Sequence, residues 1–130
     1  MSLILVVDDH AATREPLARL LKYEGYETAS AANGAEALAA MRSRRPDLIL
    51  LDLNMPKMDG LTFLAEKARE SAAAGLPVIV VTGGLCTSQV RRAGATPGVV
   101  DVINKARFTV DGLLSRIRST LSASRTTLAA

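Results

Sequence analysis

Aromatic side chains are scarce in this chain. Tryptophan is absent, and two tyrosines and two phenylalanines make up 3% of the 130 residues. A core must therefore be aliphatic, and stacking platforms of the kind single-stranded nucleic-acid binders use are excluded. Cysteine is nearly absent as well. Cys86 stands alone, so no intrachain disulfide can form, and a reducing cytoplasm is the expected setting. Long apolar runs are missing: stretches such as Leu48–Leu51 and Val78–Val81 fall far short of the roughly 18 residues that cross a bilayer. No basic segment followed by an apolar one opens the sequence, which argues against a secretory signal. Nor is charge of one sign concentrated. The formal net charge is +3, and the groups Arg42, Arg44, Arg45 and Arg91, Arg92 read as solvated helix ends, too short for a nucleic-acid footprint. No membrane partner and no direct nucleic-acid partner are expected.

What is present is a regular alternation. The length suits one domain, with a core that can bury roughly two-thirds of the unfolded surface. Strands are expected at Leu3–Val7, Glu27–Ser30, Leu48–Leu51, Val78–Val81 and Val99–Ile103. Three of these are nearly continuous apolar runs, as in strands buried on both faces of a parallel sheet. Between them lie helical faces: Leu17, Leu20, Leu21; then Ala37, Leu38, Met41; then Leu61, Leu64, Ala65, Ala68. Val110, Leu113, Leu114, Ile117 and Leu121 make the clearest stripe. Asn33 with Glu36 reads as an N-cap and its capping-box partner, Pro16 is expected in the first turn of helix one, and Asp59-Gly60 reads as a turn before helix three. The pattern is β-α five times, which right-handed crossovers wind into an α/β fold with helices on both faces of a parallel sheet. Ser122–Ala130, small and polar, is expected to be a frayed tail.

The informative acids stand at strand ends. In an open α/β sheet, ligands bind beyond the carboxyl ends of the strands where the strand order reverses. Asp8 and Asp9 follow the first strand, and Asp52 follows the third; if those strands are neighbours, three carboxylates share one pocket. Like charges so placed penalise one another, and a hard divalent cation such as Mg²⁺ relieves the penalty with oxygen ligands. Asp9 and Asp52 are candidate direct ligands, with Asp8 acting through water. Thr82 after strand four and Lys105 after strand five add a hydroxyl donor and a compact positive charge, the equipment for neutralising a phosphoryl group while a carboxylate attacks it.

Val6-Val7-Asp8-Asp9, the block Asp52-Leu53-Asn54-Met55-Pro56-Lys57-Met58-Asp59-Gly60, Val81-Thr82-Gly83 and Lys105 together resemble the receiver domain of two-component response regulators, above all single-domain members of the chemotaxis type. The resemblance runs from about Leu3 to Leu121 and takes in Ala32-Asn33-Gly34-Ala35-Glu36-Ala37 at helix two. It implies a doubly wound five-stranded (βα)5 sheet of flavodoxin-like order 2-1-3-4-5, with residues 1–121 as the receiver domain and 122–130 as a short C-terminal tail. It further implies that Asp52 accepts a phosphoryl group from a histidine kinase or histidine phosphotransfer protein. Asp8, Asp9, Asp52 and the backbone carbonyl of Asn54 would hold Mg²⁺, and Thr82 and Lys105 would contact the phosphoryl oxygens. Asn54 and Gly84 occupy the two positions that tune hydrolysis in the family. The surface of helix four, strand five and helix five would meet a downstream protein target, or an output domain outside this chain. Such a domain assists its own phosphorylation and dephosphorylation and turns over no separate substrate, so it is not an enzyme.

Three departures stand out. The family lysine is followed by proline in a cis peptide, whereas Ala106 follows Lys105; a cis bond there would cost roughly 3–4 kcal/mol, so a trans bond with a displaced lysine is expected. Val102 stands where the family carries the aromatic of its rotamer switch. The stretch Gly94–Lys105, with its Ala95-Thr96-Pro97-Gly98-Val99 segment, is longer than the family pattern, which implies an altered connection between helix four and strand five. These departures keep open a receiver-like scaffold that binds a partner without phosphorylation. A haloacid-dehalogenase-like phosphotransferase would need a second acid two residues after its nucleophile, where this chain has Asn54. His10 is read as a solvent-facing residue at the start of helix one, because an Mg²⁺ site prefers oxygen. Cys86 reads as a plain small residue near the start of helix four, and Met55 and Met58 as loop packing.

Overall fold

A computed structural model of the chain describes residues 2–53, 59–70, 73, 75–83, 87–105 and 109–129, with the backbone alone at 87–90 and 124–129. Five strands and five helices alternate: β1 (Leu3–Val7), α1 (Ala11–Tyr23), β2 (Glu27–Ala31), α2 (Gly34–Ser43), β3 (Leu48–Leu51), α3 (Gly60–Arg69), β4 (Val78–Thr82), α4 (Thr87–Ala95), β5 (Val99–Asn104) and α5 (Val110–Ala129). The strands form one sheet in the order β2-β1-β3-β4-β5, parallel throughout. The expected architecture and strand order are therefore present. β1, β3 and β4 are buried at every residue, which is why they read as unbroken apolar runs. Alternate strand residues feed two cores. One takes Leu5, Ile49 and Val80 with α2 and α3; the other takes Val6, Leu50 and Ile79 with Leu21 of α1 and Leu113, Ile117 and Leu121 of α5.

Asn33 caps α2 as expected, its Oδ1 accepting from the Glu36 amide at 2.9 Å, while Glu36 Oε1 accepts from the Ala32 amide. Several local expectations need correction. Pro16 lies inside α1, beyond the first turn, because the helix already begins at Ala11, three residues after Asp8. Asp59 is more than a turn residue: it caps α3, accepting from the Thr62 amide at 2.8 Å. The buried face of α3 is Gly60, Phe63, Leu64 and Lys67, with Ala65 and Ala68 exposed. The phase of that helix is set at its first residue. A Cβ on Gly60 would lie 2.7 Å from the Asp52 carbonyl oxygen and 2.7 Å from Leu53 Cα, so only glycine lets the helix abut the end of β3. Turning Gly60 inward turns Lys67 inward two helical turns later, where burial lowers its pKa. Val110 is 48% exposed, although the rest of the α5 stripe is buried. The expected tail is helical from Ser122 to Ala129; after Gly112 the chain has no glycine or proline to stop the helix.

The connection before β5 differs from a plain turn. Gly98 takes φ +93°, a conformation open to glycine, and its carbonyl accepts from Val78 at 2.8 Å. The pairing then slips, Val78 opposing Val99 and Ile79 opposing Asp101. Val100 is thus an extra, bulged residue, 54% exposed. Asn54, Met55, Met58, Gly84, Cys86 and Ala106 lie outside the described residues, and with them the reading of the 105–106 peptide.

Two of the three atoms a Cβ on Gly60 would meet are backbone, with Leu53 Cδ2 the third at 2.9 Å, so moving that side chain alone would not make room. Gly60→Ala is expected to cost about 1–3 kcal/mol through overpacking, read as a lower urea midpoint at unchanged slope.

Candidate functional site

The strand order places β1 beside β3, with Val7 opposite Leu51, so Asp8 and Asp52 occupy the next position on adjacent strands. Backbone hydrogen bonds fix both: the Asp8 amide donates to Ala31 at 3.1 Å, and the Asp52 amide to Val7 at 2.9 Å. Both residues are 4% exposed. Asp8 is further tied down from α1. Its Oδ1 accepts from the His10 amide at 2.9 Å, and its carbonyl accepts from Arg14 Nη1 at 2.8 Å. Asp9, one residue on, has a side chain 23% exposed, yet its Oδ1 is buried and accepts no hydrogen bond among the described residues.

Positive charge enters from the far side of the sheet. The Lys105 amide donates to the Thr82 carbonyl at 3.0 Å, which brings the end of β5 against the end of β4 and aims the lysine inward. Its Nζ lies 2.6 Å from Asp8 Oδ2 and 3.3 Å from Asp52 Oδ2. The expected displacement of Lys105 is therefore overturned. The backbone bond to Thr82 holds the start of the side chain, and two carboxylates draw in its end. Burial by itself lowers the Lys105 pKa, but the hydrogen bond to Asp8 and the charges of Asp52 and Asp8 outweigh it, and the net shift is upward. Thr82, 2% exposed, points its Oγ1 at Asp52 Oδ1 from 3.3 Å, long for a hydroxyl–carboxylate bond and hence weak. The cluster closes one end of a cavity of about 430 Å³ whose other walls include Val6, Leu17, Leu20, Leu50 and Val81. Apolar walls strengthen each charge interaction beside them.

Asp8, Asp9, Asp52, Thr82 and Lys105 are thus brought together, while Asn54 lies outside the described residues. His10 faces solvent at the start of α1, as expected, with its side chain 69% exposed, and its ring also borders the cluster. Each of Asp8, Asp9, Asp52 and His10 offers a ligand atom, all within 4.8 Å of one another. The buried Asp9 oxygen, which accepts no hydrogen bond among the described residues, and the hard oxygen donors around it fit a divalent cation. Arg14 joins the cluster through the Asp8 backbone carbonyl, a contact for which a sequence carries no signal.

The model of the response regulator receiver domain matches residues 4–118. Among curated relatives, "Response regulator MprA" of Mycobacterium sp. (strain KMS) is 41% identical over 120 residues, covering 91% of this chain and 50% of its own length. MprA of Mycobacterium avium (strain 104) is 42% identical with the same coverage. The chain spans about half the length of the curated relatives it matches. Among solved structures, a CheY-like receiver domain protein from Methanospirillum hungatei JF-1 superposes with TM-score 0.89 at 28% identity, covering 98% of both chains. The response regulator TrrA from Thermotoga maritima, solved in complex with Mg²⁺-BeF, gives 0.79 at 31% identity, covering 92% of this chain and 99% of its own.

Lys105 holds two acids apart from one another's repulsion, so Lys105→Met is expected to lower stability at neutral pH by about 1–3 kcal/mol. A base whose folded pKa is raised stabilises below its unfolded pKa and loses that contribution as pH climbs through the folded value. The stability gap between the two proteins, measured by urea titration, should therefore close on the alkaline side of the ordinary lysine range.

Proposed function

The chain belongs to the response regulator receiver domain family, and from that membership we propose that it is a phosphoacceptor signalling switch in which Asp52 takes a phosphoryl group from a histidine kinase or histidine phosphotransfer protein. The observation that carries this reading is the meeting of Asp52, Asp8, Lys105 and Thr82 from four strand ends in one pocket. An Asp52 carboxylate oxygen attacks phosphorus, the bond to the donor's imidazole nitrogen breaks with its electron pair leaving on that nitrogen, and an acyl phosphate remains. Lys105 turns its ammonium from Asp8 toward the incoming oxygens, and Thr82 offers its hydroxyl hydrogen to another. Both groups stand beside Asp52 before the donor arrives, so little reorganisation is needed at the moment of transfer.

Asp8, Asp9, Asp52 and the Asn54 carbonyl are the residues that would hold Mg²⁺, which when bound supplies the charge that offsets crowded carboxylates and phosphoryl oxygens. The Mg²⁺-BeF complex of TrrA supports that choice of ion. The domain works in the cytoplasm and turns over no separate substrate. Its output is a change in the α4–β5–α5 surface, met by a downstream protein or by a further domain of the kind that the greater length of the MprA relatives allows. No described helix is long and apolar enough to cross a membrane.

Incubation with Mg²⁺ and acetyl phosphate should add one base-labile phosphoryl group, seen by intact mass spectrometry. Asp52→Asn should abolish the adduct, and Thr82→Ala should slow its formation at least about tenfold. Absence of an adduct with any phosphodonor would leave the phosphorylation-independent scaffold as the surviving reading.

A further inference from the structure

We propose that His10 is a further protein ligand of the divalent ion at the acid cluster, and that its imidazole makes this site bind first-row transition dications more tightly than Mg²⁺. The inference rests on the reading of Asp8, Asp9 and Asp52 as metal ligands and concerns which ion they prefer.

His10 is the N-cap of α1 but makes no side-chain capping bond, so its ring is not engaged with the helix. Its backbone amide is held by Asp8 Oδ1 at 2.9 Å, which fixes the root of the side chain relative to the cluster. From there Nδ1 comes to 3.1 Å from Asp9 Oδ1 and 3.5 Å from Asp8 Oδ1. The His10–Asp9 contact is at ion-pair distance without the geometry of a hydrogen bond to Asp9 Oδ1. A ring nitrogen and a carboxylate oxygen at this range can share a proton or, in its place, a metal ion. Around an octahedral ion with bonds of about 2.1 Å, neighbouring ligands lie about 3.0 Å apart and opposite ones about 4.2 Å. The His10–Asp9 and His10–Asp8 separations match neighbours, and the 4.8 Å span of the four-residue set needs only a small contraction to match opposites.

The chemistry of the added donor decides the preference. Mg²⁺ takes oxygen ligands and gains little from an imidazole, whereas Mn²⁺, Co²⁺, Ni²⁺ and Zn²⁺ bind nitrogen with increasing strength along most of the series. Three carboxylates with one imidazole are therefore a mixed set that favours a transition metal over Mg²⁺. With its side chain 69% exposed, His10 can swing onto an incoming ion without repacking the core, and its replacement should leave the fold intact.

The test compares the wild type with His10→Ala. Dissociation constants for Mn²⁺ and Ni²⁺ are measured by titration calorimetry, and Mg²⁺ by competition against Mn²⁺ followed by EPR. His10→Ala should weaken Mn²⁺ and Ni²⁺ at least about tenfold while changing Mg²⁺ less than about twofold. Electron spin-echo modulation of the Mn²⁺ complex should show a directly bound ¹⁴N nucleus in the wild type that the variant lacks. Equal transition-metal affinities in the two proteins, or a Mn²⁺ complex without ¹⁴N coupling, would overturn the role of His10 and leave the carboxylate site standing. Failure of every ion to bind even the wild type would overturn the metal reading itself.

Discussion

The constraint on which this molecule turns is the adjacency of like charges. Parallel pairing of β1 with β3 in register puts Asp8 and Asp52 side by side, both buried and both beside apolar walls. Desolvation and mutual repulsion act against each carboxylate, and the protein offsets this with one ammonium. Lys105 reaches both acids from the opposite side of β4, so the two halves of the sheet are joined electrostatically as well as by backbone ladders. One lysine against three acids leaves the cluster net negative, a residual charge that suits a cation. The stability of the strand ends and the chemistry of the pocket thus draw on the same imbalance.

Placement of Asp52 depends on a second contact that carries no charge. Gly60 begins α3 directly against the Asp52 carbonyl and Leu53, and its amide returns a hydrogen bond to the Leu53 carbonyl at 2.9 Å. Among the described residues, that backbone bond joins the end of β3 to the start of α3. Asp59 then caps the helix, so the segment following Asp52 is anchored at a point determined by the absence of a side chain. The same contact sets the helical phase that buries Lys67, a cost accepted far from the pocket.

The fold was legible because β1, β3 and β4 are buried on both faces, and such strands announce themselves as apolar runs between amphipathic helices. The acids were legible because they follow those runs directly. Lys105 was legible as a member of the pocket but misjudged in position. The alanine after it suggested a re-aimed side chain, whereas the backbone bond from its own amide to Thr82 supplies the aim. The face of α3 differs from its hydropathy pattern for a related reason: hydropathy favours Ala65 and Ala68, and nothing in it shows that Gly60, and with it Lys67, must face the sheet. His10 was set aside on the chemistry of Mg²⁺, which is sound for that ion and silent about others. The continuation of α5 past Leu121 was read as polar tail because small polar residues fit both states, and only the lack of a helix stop distinguishes them.

The scarcity of aromatics has its sharpest consequence in β5. Val102 pairs with Val80 and packs against the α2–α3 side of the core, within reach of Gly94 on α4. A β-branched side chain in a strand is stiff about χ1 and too short to sweep between a buried and an exposed position as an aromatic ring can. A signal passed along this strand therefore cannot be carried by a large rotamer change at Val102. What does connect the pocket to the α4–β5 face is main chain. Thr82 pairs with Asn104, the Lys105 amide binds the Thr82 carbonyl, and the bulge at Val100 interrupts the ladder near the start of the same strand. On the proposed reading, a shift of Thr82 or Lys105 would reach β5 through those bonds, at the edge of the sheet beside α4.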